Sequence, residues 1–546
     1  VTICFVQAQS SVEIDRKIGY ALSREVKAVD QIQEDNYSER RIFTVLGVLP
    51  EPGGYGIAKF SRASDPYKKW IMDLTQEGAE KFYQTFYFDY GHSSIADLAH
   101  ITVIFENISM VAAEELWDEP LIDGQASSTR YQDFKKRGFH TPSELVGSAH
   151  ESKFNAHCEL LLNSYHAFLE RTHQHLMERH AHERPADMDD GKYSRTLKAR
   201  AYDVVRYVLP MSIRTGLGHI LSARTLERRL IDLLSHPIEE VRDVARDLKS
   251  AAVEEPAFNP MNERLGPILE KLESTADGSE IADEIRGLAD FGAPATPTLI
   301  KYAEPSANIV STRNSLIEYG TALAPKLGEP DRSPGVTLAD PHDQLVEQFA
   351  TLVYPFVPHA YQQIQNHAEN SMSESEMLEA LDIVERGRGQ FDAPAFSTRS
   401  GYQLIFDISL DCGAWRDFHR HRKLVQIHKP FDALEGYDTP RTIKEAGLES
   451  EYASLMKTSS TLATEIDQRC PQIGQYVLPF AFRRRSIFKM DAEELQYITE
   501  LRTRPENHFS VREIAYQMYE AYAARYPKLA ERFRIVKPEE ENFFKR

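Results

Sequence analysis

The stretch "FHRHRKLVQIHKPF" (418–431) gathers Arg420, His421, Arg422, Lys423, His428 and Lys429 in a chain whose formal net charge is −19. On a helix, residues two apart point about 200° away from each other, so Arg420 and Arg422 could not address one ligand. In an extended segment they share a face, and two guanidinium forks can then hold phosphate oxygens bidentately. A helix that ends near His419 would produce that arrangement. The plain alternative is a solvated cluster of ion pairs facing some of the 83 acidic residues.

Other groupings could join the same chemistry. "YGHSSIADLAH" (90–100) sets His92, Ser94 and Asp97 on a turn after an amphipathic helix over about 74–89, with Gly91 as its C-cap. A capping network for the next element is the competing reading. "GQASSTRY" (124–131) flanks Arg130 with hydroxyls, Ser128 among them, as either an anion loop or an ordinary turn would. "MDAEELQYITELRTR" (490–504) reads as a helix capped by Asp491 and Glu494 and striped by Leu495, Ile498 and Leu501. It ends in Arg502 and Arg504, where cations also suit the helix dipole. Arg206 stands directly before a Tyr-Val-Leu-Pro segment. His180 and His182, two apart at a helix end, make a poor metal pair and are expected to be solvated. The four cysteines lie far apart without a C-x-x-C pair, so no metal site is expected. Nucleotide-loop and nucleophile-elbow patterns are absent.

These groups sit on a chain that repeats itself. "YVLPMSIR" (207–214) returns as "YVLPFAFR" (476–483), and "VRDVA" (241–245) returns as "VREIA" (511–515), at offsets of 269 and 270. "LAHITVIFENIS" (98–109) and "YQLIFDISL" (402–410) both read as strands, each followed by helix formers. "IAKFSRAS" (57–64), faintly echoed by "LIKYAEPS" (299–306), is expected as an entry strand. Long helices are expected within 143–180 and 448–469, and a helix pair at each Tyr-Val-Leu-Pro. The fold class is therefore α+β: two tandem domains related by duplication, residues 1–255 and 291–546, each with a central antiparallel or mixed sheet flanked by long helices. A Pro-, Gly- and acid-rich linker at 256–290 separates them, and the second domain carries a longer insertion at about 315–390.

The totals agree with this division. At 546 residues the chain exceeds what one core usually organises. It is 42% apolar and 27% charged, as soluble globular chains are, and has no apolar run of about 20 residues that would cross a bilayer. The first residues, "VTICFVQAQSS", read as mature structure rather than a leader. Sparse cysteines fit a reducing cytoplasm. The acidic balance argues against general nucleic-acid or membrane-surface binding. "FRRRSIFK" (482–489) is a basic run that could serve RNA, but base-stacking aromatics in an RNA-module pattern are missing.

Taken in order, a His-x-Ser-x-x-acid turn, a strand, a helix into Arg-His-Arg, a Ser-x-Arg-Tyr loop, an arginine before Val-Leu-Pro and a Leu-Arg helix end resemble the flavin-dependent thymidylate synthase family. That family forms homotetramers with FAD and dUMP in sites shared between subunits, and this chain looks like two such domains fused. The resemblance implies reductive methylation of dUMP to dTMP, with methylenetetrahydrofolate and NADPH as co-substrates and no cysteine nucleophile. It implies that Arg420, His421, Arg422, His92, Ser94 and Asp97 bind FAD. It implies that Ser128, Arg130, Arg206 and Arg502 bind the nucleotide, with Arg502, Arg206 and Ser128 catalytic. A cytoplasmic homodimer would form a pseudo-tetramer.

Each copy departs from the family pattern in a different place. The first keeps His92, Ser94 and Asp97 (aspartate where the family usually has glutamate), Ser128, Arg130 and Arg206. It has Asp118, Glu119 and Pro120 where Arg-His-Arg belongs, and Leu233 near the place of the helix-end arginine. The second keeps Arg420, His421, Arg422 and Arg502, but has no His-and-acid turn and no Ser-x-Arg-Tyr loop, and Gln475 replaces Arg206. A composite site, each copy supplying what the other lacks, is the expectation. The alternatives are another pyrimidine substrate, or a non-catalytic nucleotide-binding scaffold.

Overall fold

Pro50 and Pro52 open the first helix among the described residues, where the missing proline N–H of the first turn would have had no helical partner in any case. The structure is a computed structural model describing residues 47–61, 74–89, 92–130, 134, 137–254, 260–275, 278–289, 293–389, 394–539 and 544. Its contacts divide the chain into a unit ending at Ala99 and a unit beginning at His100.

In the N-terminal unit, α1 (Pro50–Phe60) is followed by α2 (Gln76–Tyr83), capped by the Thr75 hydroxyl, which accepts from Gly78 N at 3.1 Å. α2 widens into a π turn over Gln84–Asp89, so the helix expected over 74–89 is present, while Gly91 lies outside the described residues. The entry strand expected from residue 57 is instead the end of α1. Small residues let this helix lie close to α2: a Cβ at Gly54 would stand 2.6 Å from the Tyr83 hydroxyl, which itself donates to the Glu51 carbonyl at 2.9 Å. Residues 62–64 of that echo lie outside the described residues, and its partner at 299–306 contains turns rather than a strand.

The larger unit begins with β1 (His100–Ser109), α3 (Met110–Trp117), β2 (Asp123–Ala126), α4 (Glu151–Arg179), α5 (Asp190–Val205), β3 (Arg214–Ser222), α6 (Ala223–Leu234) and α7 (Glu239–Val253). Two helices, α8 (Pro260–Glu273) and α9 (Gly278–Ala289), occupy the acid-rich segment around 256–290. Then follow α10 (Ala307–Leu323), β4 (Val336–Leu338), α11 (Gln344–Val353), α12 (Tyr361–Ser371) and α13 (Glu374–Glu385). The series continues with β5 (Leu404–Asp411), α14 (Cys412–Phe418), β6 (Val425–His428), α15 (Arg441–Glu445), α16 (Glu449–Asp467), β7 (Arg483–Met490), α17 (Ala492–Arg502), α18 (Phe509–Arg525) and the short α19 (Pro527–Ala530). Among the described residues the strands form two antiparallel sheets, β1-β3-β2 and β4-β5-β7-β6, with helices around them, an α+β arrangement.

The duplication is visible element by element. The β1–α3 junction at Ser109 and the β5–α14 junction at Asp411 are 302 residues apart, as are β2 and β6. In both copies the junction residue caps the helix: Ser109 accepts from Ala112 N, and Asp411 from Ala414 N, each at 2.9 Å. α6 and α17 start 269 residues apart. These registers set Asp118, Glu119 and Pro120 opposite Arg420, His421 and Arg422, Gln475 opposite Arg206, and Leu233 opposite Arg502.

Three expectations are corrected. Tyr-Val-Leu-Pro does not open a helix pair: Arg206–Val208 and Gly474–Val477 are short 3-10 turns, and Pro210 and Pro479 end them before β3 and β7. "FRRRSIFK" is no surface patch but most of β7. Its Arg484, Arg485 and Lys489 are buried and neutralised by Glu114, Asp407 and Glu347, respectively, at 3.1, 3.3 and 2.7 Å. His180 is buried, with Nδ1 2.8 Å from Glu183, whereas His182 is exposed.

The copies share one core. Phe154, Leu161 and Tyr165 of α4 belong to the same apolar cluster as Tyr452, Leu455 and Ile466 of α16, and His157 meets Ser459 between those helices at 2.8 Å. Among the described residues no helix is long and apolar enough to cross a membrane.

Candidate functional site

The two Tyr-Val-Leu-Pro segments run against each other. Pro210 and Pro479 face across an antiparallel bridge; because proline has no N–H, the bonds come from either side of it. Met211 N donates to Leu478 O and Phe480 N to Leu209 O, both at 2.9 Å. Ser212 N donates to Tyr476 O at 2.8 Å, and Ala481 N to Tyr207 O at 3.3 Å. Exchanging the copies turns each bond of a pair into the other, so the crossing is a local pseudo-two-fold axis. Both helices that follow the sheet junctions dock on it: Met110 N bonds Met211 O, and Cys412 N bonds Phe480 O.

On one side of this axis the lining is cationic. α14 ends at Phe418, with His419 as its cap residue, so the chain is no longer helical at Arg-His-Arg. Arg420 and Arg422 are exposed while His421 between them is buried, but the segment is a turn and not the extended stretch expected, since His421 N donates back to the Phe418 carbonyl at 3.0 Å. Arg422 donates to the Ile122 carbonyl at 3.2 Å and pairs with Asp123 at 2.8 Å, both from the first copy. Arg420 has no hydrogen bond or ion pair among the described residues. Arg502, on the last turn of α17, donates to the Asp417 carbonyl (2.8 Å), His421 Nε2 (2.9 Å) and Asn507 Oδ1 (3.4 Å).

The first copy supplies the opposite wall. Arg206 is 2% exposed; its Nη1 donates to Thr129 Oγ1 at 3.2 Å and its Nη2 to Gly413 O of α14 at 3.5 Å, while its buried Nε has no acceptor among the described residues. Arg416 reaches back from α14 to the Ser127 carbonyl at 2.8 Å. Ser128 Oγ accepts from Arg130 N at 3.3 Å. Arg130 is gripped by both oxygens of Asp203 (2.5 and 3.0 Å) and touches Glu506 O of the second copy at 3.4 Å. Burial alone would raise the Asp203 carboxyl, but Arg130, helped by Arg206 and His508, holds it down at about 2. Seven sequence-predicted residues, Ser128, Arg130, Arg206, Arg420, His421, Arg422 and Arg502, thus lie in the larger unit along or beside the seam. The other three belong to the N-terminal unit, on its 3-10 turn Ser93–Leu98: His92 and Ser94 exposed, Asp97 half-buried.

Across the axis the same positions are filled. Glu119 is buried and accepts from Arg228 at 2.6 Å, and Leu233 is 2% exposed in the core. The loop after β6, opposite Ser127–Arg130, buries Lys429, which donates to the His359 carbonyl, and Phe431. Arg484 lies between the rings of Trp415 and Phe431, 4.9 and 4.6 Å from their centroids, and pairs with Glu114.

Sequence reasoning missed Arg416, Asp203 and Glu494. Two of the three left a trace: Arg416 is one helical turn before Arg420, and Asp203 is three residues before Arg206. Glu494 was read only as part of a cap. No cluster of histidine, cysteine, aspartate or glutamate fit to hold a metal ion occurs among the described residues.

Comparison with known proteins agrees with the duplication. A family model, Thy1, described as thymidylate synthase complementing protein, matches residues 55–255 and 337–528, well over half of the chain. A UPF0159 protein of Thermoplasma acidophilum is 24% identical over 506 residues, covering 87% of this chain and 93% of that protein. One of Chlamydia muridarum is 24% identical over 464 residues, covering 82% and 79%. Among solved structures, the flavin-dependent thymidylate synthase ThyX of Helicobacter pylori, complexed with FAD and dUMP, is similar at 16% identity and a TM-score of 0.25, over 40% of this chain and 93% of that one.

Proposed function

The chain belongs to the Thy1 family of thymidylate synthase complementing proteins, and on that premise we propose that it catalyses FAD-dependent reductive methylation of a uracil nucleotide. The substrate is dUMP, methylenetetrahydrofolate gives the one-carbon unit, and NADPH is the reductant. The observation that supports this most is the backbone pairing at Pro210 and Pro479, across which Arg206 reaches Gly413 and Arg416 reaches Ser127.

The donor set suits a phosphorylated ligand. Arg206, Arg416, Arg420, Arg422 and Arg502 are permanent cations, and the Arg206 Nε is buried without an acceptor among the described residues. Arg420 and Arg422 would hold the FAD diphosphate, whereas both ring nitrogens of His421, expected to join them, are taken up by Glu494 and Arg502; His92, Ser94 and Asp97 are the flavin-binding candidates of the N-terminal unit. FAD, when bound, supplies the hydride chemistry. Ser128 and Arg130 hold the nucleotide. Arg206 and Arg502 grip its phosphate or polarise a pyrimidine carbonyl, stabilising the negative charge that grows on the ring as C5 becomes nucleophilic. Asp203 keeps Arg130 in place.

The opposite half has no such capacity, since Glu119 would repel a phosphate and Leu233 offers no donor. Residues 1–255 and 291–546 act as two subunits of the family, joined at 256–290, and two chains form a cytoplasmic pseudo-tetramer. The test is direct. The purified full chain should be yellow, with oxidised-flavin absorbance, and should rescue a thymidine-requiring bacterium. A colourless protein that neither takes up FAD nor rescues growth overturns the reading; a yellow protein without rescue assigns another pyrimidine substrate.

A further inference from the structure

Glu494, His421 and Arg502 form a relay with a defined direction. Glu494 and Arg502 stand on the first and last turns of α17, eight residues apart and so on one helical face. His421 bridges them, with Nδ1 3.2 Å from Glu494 Oε1 and Nε2 2.9 Å from Arg502 Nε. A carboxylate can only accept and a guanidinium can only donate. The ring must therefore carry its proton on Nδ1 and its lone pair on Nε2. All three members are largely buried, and burial also pulls the His421 pKa below its usual value, which keeps the ring neutral near pH 7. Glu494 is the third residue of α17, at the helix end where the dipole favours an anion.

We propose that Glu494 is a positioning residue: by fixing the Nδ1–H tautomer of His421, it turns the imidazole into the acceptor that orients Arg502 toward the nucleotide. The opposite tautomer would set an N–H of the ring against the N–H of Arg502 and turn the guanidinium away. Asp417 and Asn507 already hold the two terminal nitrogens, so His421 supplies the third contact that fixes the fork. The first copy provides an internal comparison. The counterparts of Glu494, His421 and Arg502 are Thr225, Glu119 and Leu233, so all three members are replaced together. This inference rests on the reading that Arg502 meets substrate, whereas the ring geometry does not.

The experiment is Glu494→Gln in the full chain, whose amide can present either an N–H or an oxygen to the ring. Nitrogen-15 spectra of ring-labelled apoprotein, with the signal assigned by its loss in His421→Asn, are expected to show the neutral Nδ1–H form in wild type. In Glu494→Gln they should show the Nε2–H form or a mixture. The KM for dUMP should rise about tenfold at unchanged flavin content, with partial recovery in Glu494→Asp. Glu493→Gln, at an exposed neighbour that pairs with Lys423, should change neither readout. A wild-type ring protonated on Nε2, or a Glu494→Gln protein with an unaltered ring signal and unaltered KM, overturns the proposal. A ring that follows the substitution in a protein that binds neither flavin nor dUMP supports the relay and overturns only the functional reading.

Discussion

Pro210 and Pro479 face each other across an antiparallel bridge, and the backbone bonds on either side are exchanged when the two copies are exchanged. The proposed site and its counterpart therefore grow from the same seam with opposite charge. Position 416 is an arginine that reaches the Ser127 carbonyl; its counterpart 302 residues earlier is Glu114, which neutralises Arg484.

The Glu114–Arg484 pair closes the silent side, and both side chains are buried. Arg484→Met should cost on the order of 3–5 kcal/mol, because it leaves the Glu114 carboxylate without its cation in a dry place. The double variant Glu114→Gln with Arg484→Met should recover much of that loss. Urea midpoints measure both; a single variant as stable as wild type would contradict the assignment.

Arg420→Ala and Arg422→Ala should lower flavin occupancy strongly while moving folding stability by no more than about 0.5 kcal/mol, since both side chains are exposed. Absorbance of purified protein against its urea midpoint separates the two effects. Full flavin in both variants would remove Arg-His-Arg from the cofactor site.

Much of this was legible in the sequence, for physical reasons. The seam announced itself because both copies need proline at a crossing where ladder bonds must come from neighbours. α17 announced itself by the Asp491 cap and its apolar stripe, and the end of α14 by the run of cations that follows it. β7 stayed hidden because most of its charged residues are buried against partners remote in sequence: Arg484 with Glu114, and Lys489 with Glu347. A strand satisfied by distant partners has no local alternation to read. α1 was mistaken for a strand because helix packing at Gly54 depends on Tyr83, beyond any local window. Glu494 looked like a cap because only the fold brings His421 beside it.

Rebuilding the motif on the silent side, by Asp118→Arg with Glu119→His and Pro120→Arg, should add no flavin per chain. Leu233, Gln475 and the buried Phe431 would remain, and Arg228 would lose the Glu119 carboxylate it pairs with. Flavin-to-protein ratio measures this; a gain would show that the counterpart positions alone decide activity.

Stability should fall as the pH drops below the usual histidine range. Burial, with the charges of Arg229 and His419, pushes His219 down to about 4; burial likewise takes His419 to about 4 against the opposing pull of Asp118 and the Trp117 carbonyl. Both folded pKa values are depressed, so the unfolded chain binds these protons first. The contribution is fully present above about 6.5 and is lost as pH falls toward 4, on the order of 3 kcal/mol for each ring. Urea midpoints at pH 7 and pH 5 read the slope, and His219→Gln should flatten it. An unchanged slope would mean that His219 titrates normally.

The central claim is that one nucleotide site draws on both copies, and calorimetric binding of dUMP to the flavin-loaded full chain tests it most directly. Wild type should bind, while Arg206→Met in the first copy and Arg502→Met in the second should each weaken binding at least tenfold; Gln475→Ala and Leu233→Met, at the counterpart positions, should not. Undiminished binding in either arginine variant would contradict a shared site, and so would a wild-type chain that binds no dUMP.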